Sequence, residues 1–219
     1  DLKTLNLLIS GKIPDDAAVV AIVGPAKPFQ PAEVDLLKQY LDKGGKLVVC
    51  VDPFVKTGLE PIFKDYGVKL GNDLVVDPVQ HNFINAQELI PVYLSHPIVE
   101  KLSASNIGCL MPYSRSVQKE TPVLKDVTQT IFLQTTDKGW GIVNVKAAKK
   151  KLEYHPGIDT KGPVPLAMAC ERPSSDPNKK TRLVVYGNAS FLTNSYFQAW
   201  GNLDVALNTF SWAAQEENK

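Results

Sequence analysis

The stretch that most constrains the fold runs from residue 15 to residue 53. "DDAAVVAIVGP" holds an unbroken apolar run, Ala17 to Val23, ended by Gly24-Pro25. Short, continuous and β-rich, it predicts a strand buried on both faces. "QPAEVDLLKQYLDKGG" follows. Pro31 suits a first helical position, and Glu33 and Asp35 complement the positive end of the helix dipole. Val34, Leu37 and Leu41 form a helical stripe widened by Tyr40, and Gly44-Gly45 supplies the stop. "KLVVCVDP" is a second buried strand. Strand, helix and strand in this order make a βαβ unit, which is almost always right-handed and parallel.

Downstream, "TGLEPIFKDYG" predicts a helix. Thr57 and Glu60 stand at capping-box spacing, Gly67 closes it, and Leu59, Ile62, Phe63 and Tyr66 form its buried side. "VKLGNDLVVDP" predicts short strands. From about 78 to 160 the parallel pattern lapses. "HPIVEKL" predicts a short helical turn, and "SRSVQ", "QTIFLQTT" and "GIVNVK" predict strands. This stretch is expected to be a β-rich insertion or subdomain within a single domain spanning 1–219. The pattern returns in "GPVPLAMACE" and "RLVVYG", apolar strands separated by the polar loop "RPSSDPNKKT". A last helix, "NLDVALNTFSWAAQE", is expected to bury Leu203, Leu207, Phe210 and Ala214, with Asn202 as N-cap.

Composition limits the function classes. With 44% hydrophobic and 21% charged residues in 219, the chain has an ordinary globular makeup and enough length for a substantial core. The net charge of +1 gives no global pull toward nucleic acid or anionic lipid. The basic runs "KAAKKK" (146–151) and "NKKTR" (178–182) lack the interleaved aromatics of a single-strand binder and are expected to be solvated loops. No apolar run approaches the roughly 20 residues needed to cross a bilayer. The sequence opens on Asp1 with no signal-peptide pattern, which suggests an excerpt of a longer protein.

The chemical motifs are sparse. Cys50, Cys109 and Cys170 are far apart, and Cys50 and Cys170 lie in strand-like segments, which suggests inert buried thiols. An odd count argues against a full disulfide framework but leaves room for one bridge. His81, His96 and His155 have no metal-ligand spacing, so no metal or cofactor is expected; His96, before Pro97, is expected to be a turn residue. No phosphate loop or dinucleotide fingerprint is present. The turn Gly187-Asn188-Ala189-Ser190-Phe191 stands where a nucleophile elbow would, but Ser190 is displaced and the second glycine is missing. One positive pattern remains. Three strands end in Gly24-Pro25, Asp52-Pro53 and Gly187-Asn188. As parallel neighbours they would share one sheet edge, the usual ligand crevice of α/β proteins.

The ordered set of segments resembles the extracytoplasmic domain of ABC-type transport auxiliary proteins, including the gliding-motility-associated auxiliary component. "TLNLLISGKIPDDAAVVAIVGPAKPFQPAEVDLLKQYLDKGGKLVVCVDP", "GLEPIFKDYGVKLGNDLVVDP", "HPIVEKL", "GPVPLAMACE" and "RLVVYGNASFLTNSYFQAWGNLDVALNTFSWAAQEEN" carry the likeness. The family tends to have an acidic G-D-S-D-F turn where this chain has Gly187 to Phe191, so both carboxylates are missing.

The resemblance implies an α/β fold: a mostly parallel sheet with helices on both faces, class I glutamine amidotransferase-like or flavodoxin-like. It implies a non-enzymatic domain on the outer, periplasmic side of the cytoplasmic membrane, in a protein with transmembrane helices outside this excerpt. ABC permease and ATPase subunits would be its partners, with an envelope or glycan ligand as an alternative target and no nucleic acid. The contact residues expected at the shared strand edge are Asp52, Asn188, Ser190 and Asn194. Two other readings stand beside this one: an amidotransferase-like or carbohydrate-active enzyme reacting through Cys50 or Ser190, and a structural spacer or oligomerisation module.

Overall fold

The computed structural model describes residues 2–148 and 152–215. Helix α1 (Leu7–Ser10) precedes strand β1 (Val20–Val23), helix α2 (Pro31–Asp42) and strand β2 (Lys46–Cys50). Pro31 occupies the first turn of α2, and the Glu33 carboxylate accepts the Gln30 amide at 2.8 Å. β1 and β2 pair in parallel, Val20 opposite Leu47 and Val23 opposite Cys50. Helix α3 (Glu60–Tyr66) ends at Gly67, whose φ of 65° is the left-handed conformation that glycine adopts freely. Thr57 does not cap α3 as its spacing suggested. Its Oγ1 accepts from Leu59 N at 3.0 Å, a local turn one step ahead of the helix.

The middle of the chain contributes β3 (Val68–Leu70), β4 (Leu74–Val76), β5 (Glu88–Leu89), β6 (Val92–Tyr93), α4 (Pro97–Ala104), β7 (Met111–Pro112), β8 (Val117–Lys119), β9 (Thr128–Gln134), β10 (Trp140–Ile142), α5 (Val145–Ala148) and β11 (Thr160–Lys161). The chain closes with β12 (Pro165–Pro173), β13 (Lys180–Tyr186), a 3₁₀ turn (Ser190–Leu192) and α6 (Asn202–Ala214).

The central sheet has the order β1-β2-β13-β12-β9-β6. This corrects the expected mostly parallel sheet of amidotransferase-like or flavodoxin-like type. Only β1/β2 and β2/β13 are parallel pairs; β13/β12, β12/β9 and β9/β6 are antiparallel. The cause lies in the connections. Residues 174–179 are too short to carry a crossover, so β12 and β13 must form a hairpin. After β2, α3 leads into β3 and β4, which pair in two small separate sheets and not in the central one. The stretch from 78 to 160 both feeds the central sheet, through β6 and β9, and builds the small sheets.

Alternation along β2 explains why this sheet has two cores. Leu47 and Val49 face one side, with Leu183, Val185, and Leu37, Leu41, Ile62 and Phe63 of α2 and α3. Val48 and Cys50 face the other, with Val184, Tyr186, Phe132, and Ile98, Leu102, Val205 and Trp212 of α4 and α6. Each such side chain contributes about 1.5–3 kcal/mol when fully buried.

Two patterns turn out differently. β1 is an edge strand in which Ile22 alone is buried: Val20 and Ile22 pack on the α2/α3 side, while Ala21 and Val23 point to the opposite face and stay exposed. In α6 the buried residues are Asn202, Val205, Ala206, Thr209, Trp212 and Ala213, while Leu207 is 57% exposed. The helix is rotated from the expected stripe because Arg182 draws its C-terminal end in, donating to the Trp212 carbonyl and lying over the Trp212 ring at 4.7 Å. No helix among the described residues is long and apolar enough to cross a membrane.

Candidate functional site

The three parallel strands do end side by side. Val23, Cys50 and Tyr186 stand in register, Gly24 N donates to Cys50 O at 2.9 Å, and Val51 N donates to Tyr186 O at 3.0 Å. Asp52 emerges from β2 and reaches across to the turn after β13. Its Oδ1 accepts from Ala189 N at 2.8 Å and from Ser190 Oγ at 3.4 Å. Asn188 is 1% exposed. Its Oδ1 accepts from Phe191 N at 3.0 Å, and its Nδ2 donates to Pro112 O. Phe191 is thereby turned inward against Tyr186, with ring centroids 4.9 Å apart. Asn194 lies beyond the 3₁₀ turn and is exposed.

Of the four anticipated contact residues, then, Asp52, Asn188 and Ser190 form one hydrogen-bonded corner. Ser190 and Asn194 keep surface that a partner could touch.

Arg115 was invisible to the sequence argument, and it braces this corner from below. Its Nε donates to Gly71 O at 2.7 Å, and Nη1 donates to Val55 O at 2.9 Å and Asp52 O at 3.3 Å. Its backbone N donates to Gly187 O at 2.7 Å. Burial lowers the guanidinium's pKa, opposed by the nearby negative charges of Asp73 and Glu60. Asp73 is itself fully buried and accepts from Ser116 N at 2.8 Å, Ser116 Oγ at 2.7 Å and Thr160 Oγ1 at 2.5 Å. A lone arginine and a turn aspartate, 42 positions apart in sequence, give no periodic signal that would flag them.

The thiols near the corner are not primed as nucleophiles. Cys50 is buried, and desolvation together with Asp52 pushes its thiol pKa well up. Burial likewise pushes Cys109 and Cys170 up to about 12, and all three thiols are free. Ser190 has a carboxylate beside it and no histidine. His96 is buried, and its Nδ1 caps α4 by accepting from Ile98 N at 3.2 Å, a structural post in place of the expected turn. His155 pairs with Asp159 at 3.2 Å. Among the described residues no group of three or more His, Cys, Asp or Glu side chains is placed to hold a metal.

The segments next to the corner are charge-poor. Segments 78–99, 102–114 and 183–203 contain one formally charged residue, Glu88; much of them is core, and the exposed Glu100, Lys101 and Asp204 flank them directly. They are sewn together. Tyr113 N donates to Gln87 O at 2.9 Å, and Gly201 N donates to Gly108 O at 2.9 Å. Asn202 accepts from Leu110 N at 2.7 Å and donates to Leu110 O and Tyr196 O. Glu88 is buried, and its carboxylate takes Asn82 Nδ2 at 2.6 Å and Tyr196 OH at 3.2 Å. Tyr113 and Trp200 have φ of 55° and 47°, a left-handed backbone that bulky residues rarely adopt. They are 39% and 53% exposed.

A cleft of about 720 Å³ opens elsewhere, at the start of β2 and β13, and is lined by lysines and aspartates including Lys12, Asp15, Lys43 and Lys179. The "NKKTR" run reaches it, whereas part of "KAAKKK" lies outside the described residues.

Residues 1–214 match the family described as ABC-type uncharacterized transport system. Over 71 residues, 31% of this chain, the sequence is 32% identical to the human intraflagellar transport protein 52 homolog and 31% identical to its mouse counterpart. Those stretches span 16% and 17% of the two relatives. In structure the chain is similar to the solved mmIFT52 N-terminal domain, with a TM-score of 0.64 at 18% identity, covering 91% of this chain and 78% of that one. At that identity the likeness concerns the fold alone, and it accords with the mixed sheet.

Proposed function

Because the chain belongs to the ABC-type uncharacterized transport system family, we propose that it is a non-enzymatic domain that docks a transport complex from the outer side of the cytoplasmic membrane. Its role as a transport auxiliary follows from that family. Its partners in this reading are the permease and ATPase of one ABC system, and the docking edge is the one where β1, β2 and β13 end. The observation that carries the reading is the hydrogen-bonded corner of Asp52, Asn188 and Ser190. It is built for rigidity, with the Asp52 carboxylate tied to the Ala189 amide and a buried thiol below it. A stiff platform presents surface to a partner without the ordering cost of a loose loop. Ser190 and Asn194 are the contact residues of this edge, and Asp52 and Asn188 hold them in place.

The test is extraction of the full-length parent protein from native membranes in mild detergent, with its companions identified by mass spectrometry. Recovery of an ABC ATPase and permease in stoichiometric amounts supports the reading. Recovery of the parent protein with neither subunit refutes it.

A further inference from the structure

The open side of β1 carries backbone groups that the sheet does not use. Gly24 N donates to Cys50 O at 2.9 Å, and Val20 to Val23 stand opposite Leu47 to Cys50 without a register break. In a parallel ladder the N–H and C=O of alternate residues point to the same neighbour. Gly24, Ile22 and Val20 therefore turn theirs toward β2, and Ala21 and Val23 turn theirs away from it. Among the described residues no strand lies on that outer side, and the amides and carbonyls of Ala21 and Val23 have no hydrogen-bond partner.

Native sheets blunt a free edge with a charge, a proline, a bulge or a covering segment. β1 has none of these. It reads Val-Ala-Ile-Val in even register, Ala21 is exposed and Val23 is 46% exposed. Exposed Asp16 and Lys27 stand outside the strand and confine an apolar pairing to its length. The opposite edge of the sheet is treated differently: β6 is two residues long and follows Pro91 directly.

Such an edge selects its occupant by backbone. Donors and acceptors that recur every second residue match an extended chain, which satisfies them by adding a strand. Ala21 and Val23 on one face, and Val20 and Ile22 on the other, suit uncharged β-forming side chains on that segment. A second copy of this chain meets the edge less well. Antiparallel pairing of β1 with its copy would turn the copy's strand-end rim to the opposite side, away from the complex that the first rim meets. The free side of β1 runs into its own rim at Gly24, so one partner covers both.

We propose that the free side of β1 is a strand-addition site, where an extended, uncharged segment of a subunit of the transport system pairs with Ala21 and Val23. The proposal rests on the transporter reading above and adds the form of the partner's segment and a lateral contact beside the strand-end rim.

Proline tests the edge directly. In the full-length protein Ala21→Pro and Val23→Pro each remove one outward N–H and leave the bonds of Val20 and Ile22 to β2 in place. Ala21→Thr keeps the N–H on a good strand former and serves as control. Unchanged protease resistance shows that each chain is folded. The expected result is wild-type recovery of permease and ATPase with Ala21→Thr and about a tenfold or greater loss with either proline, since each leaves a carbonyl of the added segment without its donor.

A second measurement needs no variant. Hydrogen exchange read by mass spectrometry should show the Ala21 and Val23 amides slowed in the extracted complex relative to the protein stripped of its subunits, with the Val20 and Ile22 amides slow in both. Full recovery with both prolines, an equal loss with Ala21→Thr, or Ala21 and Val23 amides that exchange as fast in the complex as outside it overturns the edge assignment and leaves the transporter reading intact. Failure of the wild type itself to bring down either subunit overturns both. Loss of pairing between two differently tagged copies in the proline variants, with subunit recovery unchanged, gives the edge to a second copy and overturns the proposal.

Discussion

Removing the Asn188 amide gives a quantitative test of the corner. In Asn188→Ala the Phe191 N–H and the Pro112 carbonyl both lose their partner at a place that is 1% exposed. A buried polar group left unsatisfied costs about 1–3 kcal/mol. Two of them, with relaxation and some water entry, give a loss of about 3 kcal/mol. For a domain of this size each kcal/mol moves the midpoint by about 2–4 °C, so Tm should fall by about 6–12 °C. Asn188→Asp should be no better, since a carboxylate keeps the acceptor for Phe191 N but faces the Pro112 carbonyl with no donor. Ser190→Ala is the internal control. Its half-buried hydroxyl meets Asp52 at 3.4 Å, so its loss should change stability by less than about 0.5 kcal/mol. Urea unfolding with fitted m-values separates stability from changes in compactness. A loss below about 1 kcal/mol for Asn188→Ala, or equal losses for the alanine changes at 188 and 190, would show that the amide does not hold the turn.

Two further outcomes follow from buried titratable groups. His96 has its pKa lowered to about 4, chiefly by burial against Phe132 and Trp212, with Arg182 adding to the fall and Glu171 opposing it. The unfolded chain takes the proton first, so stability is full above the unfolded pKa of about 6.5 and declines as pH falls toward 4, by about 3 kcal/mol in all. Urea midpoints from pH 7 to pH 4 should show this slope flattened in His96→Asn, which keeps a cap acceptor but does not titrate; identical slopes would refute the assignment. The three thiols should resist a disulfide reagent at pH 8 in the native chain and all react after unfolding in guanidinium, read by absorbance. Rapid native labelling of one thiol per chain would revive the nucleophile reading for Cys50.

How much of this could be read from residues alone depended on how local the cause was. The βαβ unit was legible because Pro31, the Leu37/Leu41 stripe and Gly44-Gly45 act within one helix. The meeting of the Gly24, Asp52 and Gly187 strand ends followed from it once β13 was placed beside β2. The mixed sheet was hidden in a loop length: residues 174–179 force a hairpin, and the apolar content of β12 and β13 looks the same in either direction. The face of α6 was misjudged because Leu203, Leu207, Phe210 and Ala214 make as good a stripe as Val205, Thr209 and Trp212, and Arg182 decides between them from another element. Asn188 and Ser190 were marked by their strand-to-turn position, but the partners that define their role, Pro112 and Asp52, come from elsewhere in the chain.

The most direct measurement places p-benzoylphenylalanine at position 194 of the full-length protein in native membranes and identifies the cross-linked product by mass spectrometry, with position 179 as the comparison. The account predicts a cross-link from 194 to a subunit of the ABC transport system and none from 179. A product from 179 to that subunit with none from 194, or a product from 194 to a second copy of the same chain, would contradict it.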